Sequence, residues 1–200
     1  MKKLSIALCL GMLIAISVLS TVRTTEETLA NGVMRLHIRA NSDSDEDQAL
    51  KLKVRDRILK EAGHLFENTT STADALRQAS DNLSYIKSIA EDEIALNGYD
   101  YPVNIRLGKS DFPMKVYNDL TLPAGTYEAL VVEIGSGSGQ NWWCVMFPPL
   151  CFVDEACTEI DTDTEEILIN NLGDDTYSML NGGKPVIKFK VYEMIKNWSF

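Results

Sequence analysis

Leu36 to Asp56 reads LHIRANSDSDEDQALKLKVRD, and this stretch decides the fold. Just before and within it, Met34, Leu36 and Ile38 alternate with Arg35, His37 and Arg39. That is the period of a strand with one apolar and one basic face. After the polar run, Leu50, Val54, Ile58, Ala62 and Leu65 recur at helical spacing. Asn41, Ser42, Asp43, Ser44 and Asp45 lie between, and their side chains can accept from the unbonded N–H groups of a helix start. Ser44 with Asp47, and Asp43 with Glu46, both fit the capping-box spacing. The acids also suit the positive end of the helix. The stretch therefore predicts a strand over 33–40, a polar turn, and a helix over about 45–66. A capped helix start accounts for most of the turn. It does not require His37 and Arg39 leading into it, nor the polar order Asp47, Gln48, Lys51, Lys53, Arg55, Asp56 along the helix.

A second long helix is expected from Thr72 to Asn97, opened by Ser71 with Asp74 and closed by Asn97-Gly98. Leu76, Ala79, Leu83, Ile86, Ala90 and Ile94 form its apolar stripe. The period then changes. Val103, Ile105 and Leu107 alternate, Gly108 to Pro113 reads as a turn, and Met114 to Leu122 as another strand. Tyr127 to Ile134 is nearly continuous in apolar residues and so is expected to be central. GSGSG at 135–139 reads as the connection of a hairpin to Asn141–Phe147. It lacks the Lys-Ser/Thr ending of a phosphate loop. Trp142 and Trp143 are adjacent, so a strand sends them to opposite faces. Asp154 to Glu166 reads as an acidic loop leading into a short helix near Thr164 to Leu172, Gly173 to Gly183 as loop, and Val186 to Tyr192 as a last amphipathic strand, with a helix over Pro185 to Trp198 as the alternative. The fold class expected is α+β, with two long N-terminal helices packed on a mainly antiparallel sheet.

The chain has 200 residues and a formal charge of −10. Lys2 and Lys3 precede an uncharged apolar run from Leu4 to Leu19, and Val18 and Ser20 are small residues at −3 and −1 of a cleavage point. The organisation expected is a signal peptide or N-terminal membrane anchor over 1–20, a linker over 21–32, and a single α+β domain over 33–200. Without Lys2 and Lys3 the charge is about −12. A body this acidic argues against nucleic acid as a partner and against adhesion to an anionic membrane surface. Membrane contact is then expected only through the leader, if it is uncleaved.

Cys144 and Cys151 flank the bend at Pro148-Pro149 and are the first pair expected to oxidise in an exported protein. Cys144 with Cys157 competes, and three buried thiols are an equal alternative. No spacing of Cys and His reads as a zinc site. Asp43, Asp45 and Asp47 resemble the start of a calcium loop, but Gln48 stands where the turn glycine belongs and the closing Glu is missing. No metal or other cofactor is expected. The cheapest enzyme reading is a thiol hydrolase acting on cell-wall or peptide substrates, with Cys144 as nucleophile, His37 as base and Asp43 or Asp154 as orienter. A hydrogen-bonding role for His37 beside the polar turn competes with it, and no catalytic residue is assigned.

The run from His37 to Asp56, and the run PAGTYEALVVEIGSGSGQNWWCVMFPPLCFVD over 123–154, resemble the two signatures of the stage II sporulation protein R family of endospore-forming bacteria. His37, Arg39, Asn41, Asp43, Asp47, Gln48, Lys51, Val54, Arg55 and Asp56 belong to the first. Gly139, Gln140, Asn141, Trp142, Trp143, Cys144, Pro148, Pro149 and Cys151 belong to the second. The resemblance implies a signal secreted across the forespore membrane into the intermembrane space. There it would activate a membrane-embedded protease, stage II sporulation protein GA, which processes pro-sigma-E in the mother cell. It implies no catalytic residues. On this reading the partner-binding residues expected are His37, Arg39, Asn41, Asp43, Asp47, Gln48, Lys51, Arg55, Gln140, Asn141 and Trp142.

Overall fold

The computed structural model describes residues 10–17, 27–152 and 160–182. Asp154, Cys157 and the strand expected at Val186–Tyr192 lie outside the described residues, as does most of the expected leader. Residues 10–17 are helical and exposed. Among the described residues no helix is long and apolar enough to cross a membrane.

The first strand, β1 (Met34–Arg39), and the first helix, α1 (Asp45–Ala62), fall where the opening stretch places them. Ser44 is the N-cap and its side chain accepts from Asp47 N–H, with Asp45, Glu46 and Asp47 in the first turn. Leu50, Val54, Ile58 and Ala62 are buried. Each of the three larger side chains stabilises the fold by about 1.5–3 kcal/mol. At Gly63 the helix tightens into a 3-10 turn, Gly63–Phe66.

The second long helix is a correction. It divides into α2 (Thr72–Asp81) and α3 (Leu83–Leu96). Asn82 stands between them with φ −110° and ψ 14°. Its Nδ2 donates to the carbonyl of Gln78 at 2.8 Å. The Asn82 backbone N–H donates to the same carbonyl at 3.2 Å, and a side-chain bond back to the i−4 carbonyl bends a helix. Ser71 caps α2 as the spacing predicts, accepting from Asp74 N–H at 3.2 Å. The stripe still works across the break: Ala79, Ile86, Ala90 and Ile94 are all buried in the main core.

β2 (Val103–Phe112) runs through the turn expected at Gly108–Pro113, paired with its neighbour along its whole length. The single strand expected at 114–122 is a small hairpin, β3 (Lys115–Tyr117) and β4 (Leu120–Leu122), turning at Asn118 with φ +50°. Among the described residues, β5 (Gly125–Ile134) and β6 (Asn141–Phe147) join β2 and β1 in a four-stranded main sheet, in the order β2-β5-β1-β6. β5 is internal, as its apolar run predicts.

β5 and β6 do not form a hairpin. β1 lies between them, parallel to β5 and antiparallel to β6. Strands flanking a third stand about 10 Å apart, a distance six linking residues span easily. The loop is also tied to β1's exit: Gly139 N–H donates to Ala40 O at 3.0 Å and Ser138 N–H to Asn41 O at 3.3 Å. The sheet is therefore mixed, with two antiparallel ladders and one parallel.

α1, α2 and α3 cover one face, burying Leu36, Ile38, Leu130, Val132 and Met146. The other face carries a second core. There the β3–β4 hairpin, helical residues 27–32, and α4 (Thr162–Leu172) and α5 (Asp174–Leu180) pack on Val131 and Val145. The helix at α5 replaces the loop expected from Gly173. Tyr177 and Leu180, three apart on α5, join this core.

Candidate functional site

The polar turn and the 135–140 loop meet. Asn41 Oδ1 accepts from the N–H of Ser136 at 3.0 Å, and Ser136 Oγ donates to Asn41 O at 2.6 Å. Asp43 Oδ1 accepts from Gln140 N–H at 2.7 Å. Lys51, which is buried, donates from Nζ to Gln140 O at 3.1 Å and to Gln48 Oε1 at 2.6 Å. Burial depresses the Lys51 ammonium from its ordinary pKa. Gln48 Nε2 in turn holds Ser42 O at 2.8 Å. The approach is close enough that a Cβ on Gly139 would collide with the backbone carbonyl of Ser42.

Asp47 anchors the turn from inside. Its carboxylate accepts from Ser42 Oγ at 2.5 Å and Asn41 Nδ2 at 2.9 Å. The bond from Ser42 holds its pKa below the usual carboxylate range, helped by those from Asn41 and Tyr101 and opposed by burial. Asn41, Ser42, Asp47, Gln48 and Lys51 thus spend their polar groups on one another and on the loop backbone. They brace the surface.

Other expected residues turn outward or to the sheet's second face. Arg39 donates from Nε to Asn141 Oδ1 at 3.1 Å and pairs through Nη1 with Glu133 at 3.3 Å. Asn141 Oδ1 also faces His37 Nε2 at 2.7 Å. Because that oxygen is an acceptor, Nε2 carries the proton, and Nδ1 accepts from Ser110 Oγ at 2.9 Å. Burial pushes the His37 pKa down, opposed by the Asn141 bond, while Arg39 and Arg106 push it further down and Glu133 up. The ring stacks on Trp143 with centroids 5.8 Å apart.

Trp142 points to the helix face, as the alternation predicts for one of the pair. Arg55, itself bound to Asp56 at 2.7 Å, lies 4.2 Å over its ring. The expected residues therefore form one region with two sides: Arg55, Trp142 and Lys51 toward the helices, and Arg39, Asn141 and His37 on the opposite face.

Cys144 and Cys151 are joined, with Cα atoms 5.3 Å apart. This corrects the thiol-nucleophile reading of Cys144. Cys144 pairs with Leu36 in the ladder and lies in the helix-side core, whereas His37 and Trp143 occupy the other face. The sheet itself separates the supposed base from the supposed nucleophile, and both ring nitrogens of His37 already have partners.

Sequence reasoning missed three residues of the outer face: Asn104, Arg106 and Glu133. Their signal was legible. Asn104 and Arg106 alternate with Val103, Ile105 and Leu107, so they share the face opposite the apolar one. It also missed Arg35, which is fully buried between Phe112 (4.2 Å) and Tyr127 (4.9 Å). Arg35 reaches Tyr117 Oη at 3.4 Å and Cys144 O at 3.5 Å. Among the described residues no group of three or more His, Cys, Asp or Glu side chains is arranged to hold a metal ion.

The comparisons bear on both segments. The family profile of stage II sporulation protein R matches residues 30–157. Stage II sporulation protein R of Bacillus subtilis (strain 168) is 37% identical over 159 residues, 78% of this chain and 71% of that protein. No solved structure matches. The matched range includes β1, the polar turn, the loop and β6, and this chain belongs to the stage II sporulation protein R family.

Proposed function

We propose that the protein is a secreted signal of endospore formation that activates the membrane protease, stage II sporulation protein GA, which processes pro-sigma-E. The observation that carries this reading is that the family match includes both the polar turn and the 135–140 loop, two segments that build one surface. The leader directs export into the space between forespore and mother-cell membranes.

An activator must bind one state of its target more tightly than the other. A surface already braced by internal hydrogen bonds loses less freedom on docking than a mobile one. Asn41, Asp43, Asp47, Gln48 and Lys51 supply that bracing. Arg39, Gln140, Asn141 and Trp142, carried on the braced frame, engage the outer segment of the protease.

The test is co-expression of the full chain with the protease and pro-sigma-E in a host that does not sporulate. Cleavage is expected only when all three are present. Replacing Arg39 and Trp142 together by alanine should abolish it while the exported protein stays folded by circular dichroism. Cleavage that proceeds without this chain, or that survives both replacements, overturns the reading or its surface respectively.

A further inference from the structure

We infer that the open margin of the sheet's second face binds an acidic segment of a partner protein through Arg106 and Arg39. The ladder register lines up two rows of side chains there. One row runs Asn104, Glu133, Arg39, Asn141, and the next Arg106, Val131, His37, Trp143. The rows beyond them, with Ala129 and Val145, are roofed by Leu120, Leu122, Leu168 and Leu172. The second row is covered in its middle, where Val131 and His37 are buried and Trp143 is half-buried, so among the described residues the accessible part is the first row together with Arg106 at the sheet edge. Asn104 and Arg106 are exposed, and the side chain of Arg39 keeps 43% of its accessible surface.

The charge on these rows is unbalanced. Glu133 is their one carboxylate, and it is already engaged by Arg39 at 3.3 Å and by Asn104 Nδ2 at 3.0 Å. Arg106 has no ion pair or hydrogen bond among the described residues. His37 between them is buried and bonded to Asn141 and Ser110. Two guanidiniums thus face outward over one satisfied carboxylate, on a chain whose formal charge is −10. A planar guanidinium with free donors is matched by a carboxylate, which it grips with two parallel bonds. Arg106 and Arg39 stand two strands and two residues apart in the ladder register, about 12 Å across the sheet. The complementary segment therefore presents two carboxylates at about that spacing.

This names the chemistry of the partner's contact, and for the partner's identity it rests on the activator reading above. Two measurements separate them. In the first, the purified full-length exported protein is titrated with a labelled peptide carrying paired glutamates, and with its glutamine counterpart. The glutamate peptide is expected to bind, and Arg106→Gln to weaken it by about tenfold, with Arg106→Lys in between because lysine loses the two-pronged grip. Equal binding of the two peptides, no binding of either, or indifference to Arg106→Gln overturns the inference. So does an Arg106-dependent dimer in sedimentation, which assigns the face to a second copy.

In the second, Arg106→Gln is placed in the co-expression assay, where cleavage is expected to fall. If the unmodified chain gives no cleavage while the glutamate peptide binds, the activator reading fails and the acidic docking face stands. If cleavage is unchanged by Arg106→Gln, the protease is not what this face binds.

Discussion

The carboxylate of Asp43 accepts a hydrogen bond from the backbone N–H of Gln140 at 2.7 Å, across 97 residues of chain. This contact joins the start of α1 to the loop before β6, which also bonds to the exit of β1 at Ala40 and Asn41. The turn and the loop are therefore one structural unit, and a change in either should be felt by both.

Gly139 is the tightest point of that unit. Replacing it with alanine puts a methyl group against the Ser42 carbonyl, which belongs to rigid backbone. Gly139→Ala is expected to cost about 1–3 kcal/mol, the usual range for overpacking a filled site. An unchanged urea midpoint would show that the loop does not approach the turn as described.

Asp47→Ala removes the acceptor for Asn41 and Ser42 at a buried site. The loss is expected at about 1–3 kcal/mol, the cost of leaving such groups unpaired. Its pH dependence has a definite sign. The folded pKa is depressed below the ordinary 3.8, so the carboxylate's contribution is present above that value and is lost as pH falls below it. Acid titrations of the unmodified protein and of Asp47→Asn should therefore differ in slope below pH 3.8, with the variant flatter.

His37 operates in a separate window. Its folded pKa is lowered from 6.5, so the folded protein favours the neutral ring. That contribution is complete above 6.5 and is lost as pH falls through 6.5 toward the lower folded value. Denaturation midpoints should drop on moving from neutral to mildly acidic buffer, and His37→Asn should remove that part of the drop. Identical pH profiles for the two proteins would sink the assignment of a neutral His37.

Arg35 is a cation with 0% exposure, held by aromatic rings, and its Nη1 has no hydrogen-bond partner among the described residues. Arg35→Ala should destabilise by about 3 kcal/mol or more, since it leaves a cavity among Phe112, Tyr127 and Tyr117. Arg35→Met keeps much of the volume without the desolvated charge, and is expected to cost under about 1.5 kcal/mol or to stabilise. If methionine proves as damaging as alanine in urea titrations, the guanidinium's interactions outweigh its burial cost.

Much of the local structure was legible. Ser44 and Ser71 marked two helix starts through their spacing to Asp47 and Asp74, and both caps form. The alternation from Met34 to Arg39 sorted core from second face correctly. Asn82 was harder to read: a single amide within an otherwise continuous apolar stripe gives no periodic signal, yet its side chain breaks the helix. The site was half legible. The residue types of the turn stood out, but whether a polar side chain braces the frame or faces outward depends on what lies opposite it. Asp43 finds Gln140, while Arg106 is exposed and finds no ion pair or hydrogen bond among the described residues.

Neighbouring residues alone carry the faces of strands and helices, the starts of α1 and α2, and the family, because periodicity, capping and long ordered matches are local properties. The placing of β1 between β5 and β6, of Cys144 and His37 on opposite sides of one sheet, and of Arg35 inside while Arg106 is exposed comes from tertiary packing. The physical reason is that the backbone edges of all strands offer the same N–H and C=O groups. Which edges meet is settled by the packing of the whole chain, and the period of two says nothing about the neighbour.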